Sequence, residues 1–486
     1  MKFLLPPAFS PDLAYGFNST ALGKLFRTTG KEAWTMKRTI LVASVLFLSL
    51  VLRPCPGEAQ KEIHFWTTEI EKDRLNVQNE IGKDFTTKTG IVVRVIPVEE
   101  NLMAERVTAA YAARSLPDVI FHPIDFSVGW TEAGILDARA ATDTIESLGK
   151  ETFAAGPLNL VRVDGGYGAV PADGWGQLLL YRKDLFEKKN LSPPDQWDRI
   201  LGAAQVLYNP PLLWGFEVAT DPSQTYTQQV FEHFALSNNV RLVSPTGRVN
   251  LNTPEMIETL EFYKALSKYG PPGSLYWLHT RMDYLSGRAA MIVWSPFILD
   301  ELSGLRRDQP VVPDIAKGEP GFLAKNTGFV TTLRGPKGVA QYGQTNYFGI
   351  TRDAQKEEAR KWVEFLLDDG YLKWLGMAPE GKLPVRRGTP RHPNRFVEGW
   401  TELQFGVTTR ARISQYYGPD VAKALLAGVE HFDRWGFAEG KGALVSKIYA
   451  TKVIPEILKR FLDGELTAKQ AAERMDEKVK ALANEK

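Results

Sequence analysis

The sequence predicts an α/β protein of two lobes, each a sheet flanked by helices, with a ligand cleft between them. Three observations predict it. The chain has 486 residues, and a single core stops growing at roughly 250–300 residues. Residues 63–121 alternate as β-α-β-α-β, the pattern of a parallel sheet with right-handed crossovers. A second β/α series opens at residue 178, just after a glycine-rich stretch.

Before the first strand, residues 36–60 read MKRTILVASVLFLSLVLRPCPGEAQ. Lys37 and Arg38 precede an apolar run, Ile40–Leu52, and Gly57-Glu58-Ala59 supplies a small-residue cleavage site. This predicts a secretory signal peptide over 36–59, since the run is short for a membrane span of about 20 residues. Residues 1–35 carry no pattern, and translation is expected to begin at Met36. The sole cysteine, Cys55, falls before the cut, so the mature chain is expected to have neither disulfides nor a thiol nucleophile. Lipid attachment at Cys55 is the alternative, although Leu52-Arg53-Pro54 is bulky where such sites carry small residues. Export implies a periplasmic or extracellular protein.

Composition is that of an ordinary globular chain, 44% hydrophobic and 24% charged. Residues 60–486 hold 52 basic and 54 acidic residues, a net of −2. That excludes the electrostatic footprint of a nucleic-acid or anionic-membrane binder.

Ile63–Trp66 reads as the first strand and opens into Thr67, Thr68 and Glu69. A helical pattern with Leu75, Ile81 and Phe85 follows, then the β-branched strand GIVVRVIPV (90–98), a helix over 101–114, and the strand PDVIF (117–121). Ligands of open parallel sheets sit beyond the C-terminal strand ends. Thr67, Thr68 and Glu69 after the first strand, and His122 and Asp125 after the third, would therefore face one edge.

The stretch GGYGAVPADGWGQLLLYRKDLF (165–186) reads as the first crossing between lobes. Gly174 and Gly176 would give it backbone freedom and Pro171 would pin one side. LLLYR (178–182) starts the second lobe, followed by a helix with Trp197, Ile200 and Leu201 on one face. Thr253 and Pro254 mark a helix start over 253–269. AAMIVW (289–294) and TGFVTTL (327–333) read as strands, 335–350 as a loop returning into a strand, and 353–367 as a helix. The tail forms two amphipathic helices joined at Asp463-Gly464.

Several stretches together resemble the bacterial extracellular solute-binding proteins of the maltose-binding class, the receptors of ABC importers. They are PDVIFHPIDFSVGWTEAGIL (117–136), YGAVPADGWGQLLLYRKDLFEKKNLSPPDQWDRIL (167–201), GRAAMIVWSPFIL (287–299), GPKGVAQYGQTNYFGITRDAQKEEARKWVEFLL (335–367), GKLPVRR (381–387) and ILKRFLDGELTAKQAAERMDEKV (457–479). The resemblance spans essentially all of 62–480. It implies a two-lobed periplasmic binding protein fold of type II-like topology, closing on its ligand like a clamshell. The expected lobes are 60–172 plus 345–378, and 173–344 plus 379–486. Position by position, the resemblance implies ligand contacts from Trp66, Thr67, Thr68 and Glu69, and from His122 and Asp125. Asp173 and Trp175 are implied at the first crossover, Trp294 and Phe297 at a strand-end loop. The returning crossover implies Tyr342, Gln344, Asn346 and Tyr347, and the LPV-type turn Arg386.

The chemistry of these residues suits a carbohydrate. Aromatic faces cover the apolar C–H face of a sugar, and planar polar side chains fork onto its hydroxyls. The implied partner is a pair of membrane permease subunits, with the receptor itself a monomer lacking any cofactor. Glycerol phosphate and polyamines remain alternative solutes. Iron, which the adjacent Tyr416-Tyr417 could suggest, is disfavoured by their late position. The six histidines, at 64, 122, 233, 279, 392 and 431, show no metal-binding spacing. A secreted carbohydrate-active enzyme would also carry aromatics and carboxylates in a cleft. The sequence holds no Gly-x-Ser-x-Gly elbow, Walker loop or His-Glu-x-x-His motif, so the expectation is a binding protein rather than an enzyme.

Overall fold

The computed structural model describes residues 60–306, 311, 319 and 321–484. The expected signal peptide, Cys55 and segment 1–35 lie outside these residues. The first half of the sheet follows the sequence closely: β1 (Glu62–Thr67), α1 (Lys72–Thr89), β2 (Val92–Pro97), α2 (Glu100–Ala113), β3 (Val119–Pro123) and α3 (Ile124–Glu132). β1 lies parallel to both β2 and β3. Gly90 ends α1 in the left-handed conformation (φ 76°) and donates to Thr86 O over 2.8 Å, as a helix C-terminus favours.

Two later strands extend this sheet against the grain. β4 (Val170–Gly176) and the long β8 (Val339–Ile350) pair antiparallel with each other, and β8 also pairs antiparallel with β3. The main path runs β9-β4-β8-β3-β1-β2, where β9 is Leu383–Pro384. Residues 383–384, grouped by sequence with the second lobe, thus pair with a strand of the first sheet.

A second sheet, ordered β6-β5-β7, joins β5 (Leu178–Arg182) to β6 (Met291–Trp294) and β7 (Thr327–Val330). Both pairings are antiparallel, a direction the sequence reading left open. More than a hundred residues separate β5 from either partner, so no local pattern disclosed their direction. Only Gln177 separates β4 from β5, so the chain passes directly from one sheet to the other there. Residues 339–350, expected to be loop and then strand, are strand throughout because each segment finds a different partner.

Glycines at the crossing serve packing. Gly174, Gly176 and Gly343 all sit under the ring of Phe432, and a Cβ on Gly343 would lie 2.1 Å from Phe432 Cγ. Gly343 is paired with Gly176 across the strands. None of the three has positive φ. Around the first sheet the core centres on Phe65, Phe85, Phe121, Phe348, Trp362 and Trp374, with Phe121 and Trp374 only 4.8 Å apart. Burying one such ring contributes about 2–3 kcal/mol. The same buried cluster continues through α4 (Thr225–Ser237), most of whose side chains are buried. The C-terminal helices α5 (Gly442–Thr451), α6 (Val453–Leu462) and α7 (Ala468–Asn484) close the unit, with Gly464 (φ 87°) at the expected turn.

Candidate functional site at the junction of the sheets

A cavity of about 510 Å³ opens at the C-terminal ends of β1, β2 and β3. These strands bring Thr68 and Glu69, Glu100, and Asp125 to its wall. The crossing strands β4 and β8 add Trp175, Tyr342, Gln344 and Asn346, while α4 adds Thr225 and Gln229 from the opposite side. Arg434 and Tyr449 complete the wall from the C-terminal region.

Behind the wall, the polar groups are locked. Lys382 is buried and lies 2.5 Å from Glu69 Oε1 and 3.1 Å from Asp173 Oδ2. Arg74 donates to Glu69 Oε2 over 2.6 Å. Burial pushes the Glu69 carboxyl up, but Lys382 and Arg74 outweigh it and hold the group below the usual carboxylate range. For Lys382, burial works against the charge, and Asp173 and Glu69 raise it above the ordinary lysine value. Asp173 also accepts from Asn346 Nδ2 at 2.8 Å and Trp374 Nε1 at 2.7 Å. Asp173 is therefore fully buried and orients Asn346 from behind rather than lining the cavity.

Gln344 is fixed at both ends of its amide. Its Nε2 donates to Asp125 Oδ2 over 3.1 Å, and its Oε1 accepts from Arg434. Arg434 lies 4.3 Å over the Tyr342 ring and pairs with Glu232. Glu100 has a carboxyl pushed up by burial and by the facing Asp125 and Glu69.

Of the positions named from sequence, Thr68, Glu69, Asp125, Trp175, Tyr342, Gln344 and Asn346 meet at this cavity. The others stand elsewhere. Thr67 is buried, and its Oγ1 accepts from the Glu69 N–H at 3.1 Å, which shapes the turn. Trp66 packs on the core. His122 is fully buried beside Trp130, with Nδ1 2.9 Å from Pro123 O, and burial lowers its pKa to about 4. Tyr347 is buried and donates to Pro157 O over 2.8 Å. Trp294 stacks on Trp277 at 5.6 Å in a separate aromatic group with Tyr226. Phe297 covers Gly381, where a Cβ would come 2.0 Å from the ring.

Arg386 differs most from its expected place. It is buried between Phe153 and Phe396 and donates to Leu148 O, Leu367 O and Thr152 Oγ1, all core acceptors. Its guanidinium has no free edge for a solute.

Sequence reasoning missed Arg74, Glu100, Thr225, Gln229, Arg434 and Tyr449. One signal was available: the strand-end rule applied to 67–69 and 122–125 applies equally to β2, after which Glu100 follows directly. Arg434 and Tyr449 come from the far end of the chain and carry no such signal.

Fold and site together define a two-lobed solute-binding protein: two sheets, short crossings, and a polar cavity with an aromatic wall where they meet. Residues 71–373 match the family of bacterial extracellular solute-binding proteins. The chain belongs to that family. It is 28% identical over 432 residues, 86% of this chain and 94% of the relative, to a protein of Escherichia coli (strain K12) provisionally named ABC transporter periplasmic-binding protein YcjN. Its fold is shared by the sugar-binding protein MalE of Xanthomonas citri (19% identity, TM-score 0.66, covering 87% of this chain and 97% of that one). It is also shared by maltose-bound MalE3 of T. maritima (20% identity, TM-score 0.61, covering 87% and 99%).

Proposed function

We propose that the chain is the extracytoplasmic receptor of an ABC importer and that it captures a carbohydrate in the 510 Å³ cavity. The observation that carries this reading is the composition of the wall: the Trp175 ring stands with the planar amides of Gln229, Gln344 and Asn346 and the carboxylate of Asp125. A pyranose offers an apolar face to the first and hydroxyls to the others. Each buried hydrogen bond then discriminates strongly, since an unpaired partner costs about 1–3 kcal/mol. The naming of the E. coli relative and the sugars bound by the structural neighbours agree with this.

The lobes meet along the β4–β5 passage and the long β8 strand. Solute bridging both sides shifts the chain toward a closed form by its differential affinity for that form, and permease subunits recognise the closed shape. The chain works as a monomer in the periplasm or outside the cell, and returns its solute unchanged. Among the described residues, no helix is long and apolar enough to cross a membrane.

Tryptophan fluorescence titrated with a panel of mono- and oligosaccharides tests this reading. Saturable change at micromolar sugar, with the sugar recovered intact by chromatography, is expected. No response to any sugar, or cleavage of one, contradicts it.

A further inference from the structure

Five carboxylates stand on or directly behind the cavity wall, and three cations answer them. Glu69 is held by Lys382 and Arg74, Asp173 shares Lys382, and Glu232 holds Arg434. Asp125 and Glu100 are left over. Among the described residues neither forms an ion pair; the Asp125 carboxylate accepts from the neutral amide of Gln344, and Arg434 beyond that amide already faces Glu232. The two surplus carboxylates line the same cavity as Trp175, Asp125 after β3 and Glu100 after β2. Like charges on one cavity wall repel, and a neutral sugar would leave that repulsion in place. An ammonium removes it, and its three N–H donors match carboxylate acceptors.

We infer that the solute is an amino sugar, whose ammonium lies between Asp125 and Glu100 while its ring lies on Trp175. The inference rests on the carbohydrate reading and narrows it to a cationic class. A polyamine offers the same ammonium without the ring, so the test must separate the two.

The full mature chain is titrated calorimetrically with three disaccharides of one β-1,4 backbone: the glucosamine dimer, its N,N′-diacetyl form, and cellobiose. Spermidine is the fourth ligand, and the pH is kept where the amines are protonated. The glucosamine dimer is expected to bind at least ~10-fold more tightly than either neutral dimer, as a charge-assisted hydrogen bond implies, and this advantage should shrink at high salt. Glu100→Gln and Asp125→Asn should each narrow the preference for amine. Glu100→Gln changes an exposed helix start, so loss of folding does not confound it. Equal or tighter binding of a neutral dimer overturns the inference and leaves the carbohydrate reading standing. Binding of spermidine alone overturns both. Binding of none of the four overturns the inference, and the wider sugar panel then decides the carbohydrate reading separately.

Discussion

Arg434 and Glu232 form an ion pair, Nε to Oε1 3.3 Å, with side chains 1% and 0% exposed. The cavity wall thus rests on two buried charges. Glu232 also accepts from the Trp435 N–H at 2.8 Å and the Tyr449 hydroxyl at 2.9 Å, so its lone pairs are well occupied. Glu232→Gln leaves Arg434 buried without its counter-charge. Removing one partner of such a pair costs about 3–5 kcal/mol, a loss that urea unfolding would register. An unchanged midpoint would mean that Arg434 finds another carboxylate or moves to solvent.

Trp175 and Tyr342 are the aromatic residues that the crossing strands bring to the cavity, their rings 6.4 Å apart. Trp175→Ala should weaken solute binding by about 1–3 kcal/mol through lost stacking and burial. Trp294→Ala should do less, because Trp294 spends its faces on Trp277 and Tyr226. Calorimetry of both variants separates them; a larger loss for Trp294 would move the solute toward the second sheet.

The glycines under Phe432 give a steric prediction. Gly343→Ala puts a methyl 2.1 Å from Phe432 Cγ, and overpacking of this kind costs about 1–3 kcal/mol. Phe432→Gly, which removes the Cβ at 2.5 Å together with the ring, should relieve much of that cost in the double variant, giving a non-additive cycle. Additive losses would show that Gly343 is constrained by its backbone and not by the ring.

His122 and His233 are both fully buried, and burial lowers each pKa from 6.5 to about 4. The folded chain therefore refuses protons that the unfolded chain accepts. Their contribution is complete above pH 6.5 and is lost as pH falls toward 4, by up to about 1.4 kcal/mol per pH unit for each. Unfolding free energies measured between neutral pH and about 5 should fall accordingly, and His233→Gln should flatten the slope. A slope unchanged by that substitution would assign the acid sensitivity to other groups.

The first sheet was legible because its signals are local: β1, β2 and β3 are short apolar runs separated by helices, and the strand-end rule leads straight to Thr68, Glu69 and Asp125. Resemblance located Trp175, Gln344 and Asn346 on the crossing strands. Side-chain direction was not legible. His122 lies near the end of β3 and Asp125 three residues on in the first turn of α3, yet one turns into the core and the other into the cavity. Tyr347 and Asn346 are neighbours on β8 and split the same way, with a register shift in the β4 pairing between them. Arg386 reads in sequence as a charged residue beside a turn. Only the three carbonyl and hydroxyl acceptors gathered from distant segments reveal it as a core clamp.

Hydrogen exchange with and without a saturating sugar tests the binding location most directly, since it needs no substitution. Slowed exchange should concentrate in peptides covering 173–176, 342–346 and 434, the crossing strands and the cavity wall. A second groove of about 690 Å³, walled by Asn394–Glu402 on one side and Pro419–Glu430 on the other, serves as the internal control. Slowing confined to that groove, with the crossing strands unaffected, would contradict a solute held where the two sheets meet.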